Sequence, residues 1–191
     1  MSKVRVRLVG VGNCAAGLVQ AIEIAKTRKS KDDDFAATHP MIGEYDVEDI
    51  SFASAFDVGS NKIGKPLGKA IYESPNLVRW KETVSDCDIE VMPSPILDGV
   101  SYLVDQKVNP YENNLSIEKL RESIIEQLKL TRTDLIVNYL PVGSQNATEF
   151  WADAAIEAGC GMINAIPVFI ASDEKWEDVF HQKTFPSSVT T

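Results

Sequence analysis

Six residues near the start of the chain, Gly10-Val11-Gly12-Asn13-Cys14-Ala15, spell G-x-G-x-x-G/A with alanine in the last place. The chemistry of that spacing is anion binding by backbone. Gly10 lets the chain turn sharply, Gly12 has no Cβ to keep a pyrophosphate away from the main chain, and Ala15 is small enough for a helix to lie close to the preceding strand. The unpaired N–H groups and positive dipole end of that helix then face the phosphates. Glycines also punctuate plain tight turns, so the pattern has this meaning only between a strand and a helix. Both flanks qualify: residues 4–9 read as a strand, and Cys14, Leu18, Ala21, Ile22 and Ala25 make one stripe of a helix over 13–28. The pattern therefore points to a dinucleotide.

Asp57 ends a second expected strand over 50–57. A carboxylate at that place accepts hydrogen bonds from the hydroxyls of an adenosine ribose and repels a 2′-phosphate. No arginine follows it immediately, which favours NAD over NADP. It stands 45 residues after Gly12 because residues 29–49 intervene, where about 20 is usual. A solvated aspartate at a strand end is the other reading.

Tyr139-Leu140-Pro141-Val142-Gly143-Ser144 follows an expected fourth strand, and Pro141 and Gly143 force an irregular turn. Ser144 is placed to cap the next helix while facing the same crevice; a purely structural loop is the alternative. Asn138 and Asn164 lie in or at the ends of buried strands, where an amide must find partners in a cofactor or in neighbouring loops. Cys14 reads as a small buried residue rather than a nucleophile, because no histidine base is near it in sequence. His39 and His181 have no ligand spacing, and Asp32-Asp33-Asp34 reads as solvated surface, so no metal site is expected. No Ser-His-Asp set, P-loop or basic residue in a crevice position is found.

The elements that must position these groups alternate. After the first strand and helix come a polar loop or insertion (29–49), a strand (50–57), a helix (61–73), a short strand (88–92) and an irregular stretch (93–114) holding Pro93, Pro95, Gly99 and Pro110. A clear helix over 116–130 aligns Ile117, Leu120, Ile124 and Leu128 behind a Ser116 cap. A strand (134–139), a helix (144–158) with Gly159 at its C-terminus, a strand (161–165) and a short helix (173–181) complete the series. Trp151, Trp176 and Phe180 are expected in a core or interface. Such alternation argues for an α/β, doubly wound parallel sheet of Rossmann type, whose ligand lies outside the carboxyl ends of the strands.

The 191 residues suit one domain of ordinary size, or one and a half, with 44% apolar and 25% charged residues. A net charge of −9 argues against a general nucleic-acid binder or a membrane-surface protein. No apolar run reaches the ~18 residues of a membrane span. Cys14, Cys87 and Cys160 are odd in number and far apart, so neither disulfides nor a cysteine zinc site is expected, and a reducing cytoplasm is the simplest setting.

Five stretches together, Val9 to Ala15, Ala55-Phe56-Asp57-Val58, Leu97-Asp98-Gly99, Asn138 to Ser144 and Asn164 to Asp173, resemble the myo-inositol-1-phosphate synthase (inositol-3-phosphate synthase) family, in its bacterial and archaeal branch. The likeness covers nearly the whole chain in order and spacing. It implies an NAD-dependent isomerase of inositol and phospholipid biosynthesis that converts D-glucose 6-phosphate into 1D-myo-inositol 3-phosphate by oxidation at C5, aldol closure of C6 onto C1, and return of the hydride. By motif match it implies that Gly10, Gly12, Asn13, Cys14 and Asp57 touch NAD, and that Leu140, Pro141, Val142 and Ser144, with Asn164, Ala165 and Ile166, line the nicotinamide side.

In that family a lysine-containing segment and a second domain follow, with the catalytic lysines, the phosphate site and the contacts of a homotetramer. The resemblance thus implies an NAD-binding N-terminal part over 1–191, incomplete relative to the full enzyme, with 182–191 as a truncated tail. Lys175 and Lys183 do not stand in the family's lysine motif, so no catalytic residue is expected in this chain. An inositol-phosphate synthase whose NAD-binding half this is, and an NAD-binding module without catalysis of its own, remain the two readings; a dehydrogenase of another small substrate is disfavoured by the specific motifs.

Overall fold

The computed structural model of the chain describes residues 4–27, 41–85, 87–105, 108–182 and 187–189. In chain order the elements are β1 (Val4–Val9), α1 (Asn13–Thr27), a small antiparallel hairpin of β2 (Met41–Ile42) and β3 (Tyr45–Asp46), and β4 (Ile50–Asp57). Then come α2 (Leu67–Ala70), β5 (Val91–Pro93), α3 (Ser101–Asp105), α4 (Ile117–Leu130), β6 (Leu135–Asn138), α5 (Gln145–Ala158), β7 (Gly161–Asn164), α6 (Glu174–Gln182) and β8 (Ser187–Val189).

The main sheet runs β5-β4-β1-β6-β7-β8 with every neighbouring pair parallel. Parallel strands need crossovers, and helices on both faces cover the sheet. On one face Val6, Leu8, Ala15, Ala16, Val19, Leu67, Ala70 and Ile71 form a core beneath α1 and α2. On the other, Leu120, Ile124, Leu128, Ile136, Trp151 and Ala155 form a second core beneath α4 and α5, which also takes in Trp176 and Phe180. The chain builds outward from β1 to β4 and β5, then returns to β6 on the other side of β1. That reversal is the topological switch point, and a crevice opens there at the carboxyl ends of the strands.

The register sets the edge. Val9 pairs with Phe56 on one side and Asn138 on the other, and Asn138 pairs with Asn164. The residues just beyond them, Gly10, Asp57, Tyr139 and Ala165, therefore stand at one level along the carboxyl edge.

The elements differ from the sequence reading in several places, and the stretch over 93–114 expected to be irregular holds α3. The helix expected over 61–73 is only the short α2, because Pro66 brings no N–H to a helix running through it and Gly64 turns with φ +79. The third strand sits at 91–93, not 88–92, because Val91 and Pro93 pair with Ala55 and Asp57. The insertion carries the hairpin and a single 3-10 turn, Val47–Asp49; Asp32, Asp33, Asp34 and His39 lie outside the described residues. The expected tail contributes β8, a sixth strand parallel to β7.

Candidate functional site

A cleft of about 300 Å³ opens at the switch point, lined by Gly10, Gly12, Asn13, Asp57, Lys62, Asn76, Ser94, Asp98, Tyr139, Leu140, Pro141 and Ser144 among others. Its floor is the glycine turn. Gly10 has φ +86, and a Cβ there would stand 2.7 Å from the Tyr139 carbonyl oxygen. Glycine is thus required both by backbone conformation and by the approach of the β6 end. Gly12 is different: a Cβ built on it meets nothing within 4 Å. Its backbone faces open space at the mouth of α1.

The turn is held from behind by side chains. Asp57 is 5% exposed. Its Oδ2 accepts the Val11 N–H at 2.8 Å, and its Oδ1 accepts the Val58 and Gly59 N–H groups at 2.8 Å each. Lys62, also 5% exposed, places its Nζ 3.7 Å from Asp57 Oδ2 and donates to the Val11 carbonyl at 2.8 Å. Asn76 donates to the same carbonyl at 2.9 Å. On the outer side, Asn13 Oδ1 accepts the N–H groups of Leu77 and Val78. The carboxylate expected to reach a ribose is therefore engaged by its own turn.

The opposite wall is the N-terminus of α5. Ser144 occupies the cap position but makes no capping hydrogen bond. Asp98 caps the helix instead, from the loop after β5: its Oδ2 accepts the Asn146 N–H at 2.7 Å and its Oδ1 the Ala147 N–H at 3.0 Å. Ser144 Oγ is left buried without a partner, under Gly99, where a Cβ would lie 2.0 Å from it.

Of the residues singled out in sequence, Gly10, Gly12, Asn13, Asp57, Leu140, Pro141 and Ser144 come together in the cleft. Cys14, Val142, Asn164, Ala165 and Ile166 lie outside its lining. Cys14 is exposed, not buried, on the solvent side of the first turn of α1. Val142 points out to solvent, 77% exposed. Asn164 spends its amide on the carbonyls of Ile166 and Val168 and on Asn138.

Sequence reasoning missed Lys62, Asn76 and Asp98. The absence of a basic crevice residue is corrected by Lys62, whose signal was its place five residues after Asp57 on a glycine-rich loop. Asp98 stood in plain view before Gly99, but nothing in sequence ties it to a helix 48 residues away.

Among the described residues no group of histidine, cysteine and acidic side chains could hold a metal ion, and no helix is long and apolar enough to cross a membrane. The cleft does have two features that a bound dinucleotide needs: main chain open to close approach at Gly12, and an orphaned buried hydroxyl at Ser144. Strand order, glycine turn and crevice define a Rossmann-type α/β domain.

The relatives agree with that class and narrow it. No protein-family model matches the chain. Inositol-3-phosphate synthase of Mycolicibacterium smegmatis is 36% identical over 185 residues, which is 96% of this chain and 49% of that protein. The protein of the same name from Corynebacterium glutamicum is 37% identical over 187 residues, which is 97% of this chain and 49% of that protein. Among solved structures, that of Ari2 superposes with a TM-score of 0.78 at 24% identity, covering 97% of this chain and 53% of that one. A myo-inositol-1-phosphate synthase-related protein from Thermotoga maritima gives 0.72 at 18% identity, covering 99% and 56%. These two structures bear out the fold. The chain is thus similar to inositol-3-phosphate synthases over nearly all of its own length, and it spans about half the length of the relatives it matches.

Proposed function

We propose that this chain is the NAD-binding part of an inositol-3-phosphate synthase, an enzyme that isomerises D-glucose 6-phosphate to 1D-myo-inositol 3-phosphate. The observation that carries the reading is the open main chain at Gly12, at the N-terminus of a 15-residue helix in the cleft at the switch point. The pyrophosphate lies against that turn, where N–H groups and the helix dipole favour an anion. Ser144, with Leu140 and Pro141, faces the nicotinamide end, and its hydroxyl gains there the partner it lacks in the fold. The contribution of the cofactor is reversible hydride exchange at one sugar carbon. What this chain's residues do is orient it, hold its phosphates and wall it from water.

The likeness to the synthases over nearly the whole chain supports the substrate. The isomerisation draws on groups beyond this cleft. Lys62 is the lysine in its lining, and its ammonium is spent on Val11, Asn76 and Asp57. The 191-residue protein is expected to bind NAD without converting glucose 6-phosphate.

Calorimetric titration with NAD, alongside a thermal melt with and without it, tests the reading. A ligand that binds the folded state raises the midpoint, and Asp57→Ala is expected to abolish both signals. No heat and no shift with the unaltered protein would remove the cofactor, and turnover of glucose 6-phosphate by this chain alone would overturn the division of labour.

A further inference from the structure

The main chain at Val11 is held on both its N–H and its carbonyl by side chains that are almost wholly buried. The Val11 N–H goes to Asp57, and the Val11 carbonyl accepts from Lys62 and Asn76. Lys62 completes its set with Asn76 Oδ1 at 3.4 Å and the Asp57 carboxylate at 3.7 Å. Asn76 is fixed in turn by donating to the Ile71 carbonyl. The only cis peptide among the described residues is Ser74-Pro75, so the Val11–Gly12 bond is trans. Across a trans peptide the carbonyl and the following N–H point in opposite directions. Fixing the Val11 carbonyl toward Lys62 and Asn76 therefore fixes the direction of the Gly12 N–H, away from them.

A buried lysine without a role is costly, because its charge must be paired and its donors met. Here the cost is met by the turn itself. An unpaired Asp57 carboxylate at this place would also repel the charge of a pyrophosphate, and Lys62 cancels it within a few ångströms.

We infer that Lys62 is the positioning residue of the phosphate-binding turn: with Asn76 it anchors the Val11 carbonyl, thereby presenting the Gly12 N–H to the phosphate, and it balances the charge of Asp57. Asp57 then serves the cofactor through the turn rather than as a free acceptor for the ribose diol. This inference rests on the reading of the cleft as an NAD site.

The test uses Lys62→Met and Asn76→Ala in the whole chain. The second variant removes the amide that donates to the Val11 and Ile71 carbonyls and accepts from Lys62, yet leaves Lys62 beside Asp57, and so stands in if the first does not fold. Amide resonances of Val11 and Gly12 are recorded without ligand and then with NAD. Lys62→Met is expected to weaken NAD about tenfold and Asn76→Ala about threefold. Both should move the ligand-free Gly12 amide signal and quicken exchange of the Val11 N–H. A role in stability alone lowers the melting midpoint while leaving those two amides and the affinity of the folded protein unchanged, and that result overturns the inference. If NAD leaves the spectrum of the unaltered protein unmoved, the cofactor reading falls, and the ligand-free Gly12 and Val11 signals still decide the anchoring.

Discussion

The side-chain amide of Asn138 donates to the side-chain oxygen of Asn164 across 2.8 Å, joining the tips of β6 and β7 where neither residue is more than 3% exposed. Asn138 donates also to Thr148 Oγ1 and accepts the Leu140 N–H, while Asn164 donates to the carbonyls of Ile166 and Val168. Two loops of the carboxyl edge thus hang from one amide pair. Replacing Asn138 by Leu leaves the Leu140 N–H without its partner and takes one donor away from Asn164 Oδ1. A buried group so orphaned costs about 1–3 kcal/mol. Urea unfolding is expected to show a loss in that range, with a larger change in the mobility of residues 139–144 than of α4. A loss below about 0.5 kcal/mol, the ordinary surface value, would mean that water replaces the amide.

The two glycines of the turn predict opposite phenotypes. Gly10→Ala puts a Cβ 2.7 Å from the Tyr139 carbonyl oxygen at φ +86, so the fold itself suffers. Its expected cost exceeds the ~1 kcal/mol typical of alanine at a left-handed position. Gly12→Ala meets nothing within 4 Å. That variant should melt within a degree or two of the unaltered protein yet lose NAD by about tenfold or more, since the methyl stands where the pyrophosphate approaches. Equal melting losses in the two variants would contradict the separation of roles.

The contrast between these glycines shows what was readable in advance. The turn, both central strands and the four longer helices follow from period and punctuation, which are local. The cleft's own wall is less local. Asp98 reaches α5 from the far edge of the sheet, and Lys62 reaches Val11 from a loop that looked helical because Ile63, Leu67, Ala70 and Ile71 happen to share one spacing. Pro66, at the N-cap of the short α2, is the local feature that stops a helix from running through this stretch. Ser144 carried the local grammar of a cap, yet a longer-range carboxylate took the N–H groups first and left the hydroxyl to the cleft.

That substitution of one cap for another is itself testable. Asp98→Ala frees the Asn146 and Ala147 N–H groups, with an expected cost of about 1 kcal/mol, the usual value for a lost cap. Because the 94–100 loop is tied to α5 by this contact, exchange of amides in that loop should quicken while α4 is unaffected. Ser144→Ala should change stability little, since its hydroxyl makes no hydrogen bond in the fold. A larger loss in Ser144→Ala than in Asp98→Ala would reverse the assignment of the cap.

The acid limb of stability depends on Glu23, which ties α1 to the loop over 81–85. Burial pushes its carboxyl up, but the Ser85 hydroxyl and the Lys81 ammonium, both bonded to Oε1, outweigh that and hold it below the usual carboxylate range. A depressed folded-state pKa means that the folded protein binds this proton less readily than the unfolded chain. The stability it contributes is fully present above the unfolded value of about 4.3, and it is lost as the pH falls through the folded value. Unfolding free energy measured from pH 7 down to pH 2 for the unaltered protein and for Glu23→Gln should therefore show a constant gap above pH 5 that closes in acid. The Ser85→Ala variant, stripped of the hydroxyl donor, should draw less stability from the Glu23 charge and finish losing it at a higher pH than the unaltered protein does, because its folded value is less depressed. A gap of equal size across the whole range would show that Glu23 acts by packing alone and that its charge adds nothing to the fold.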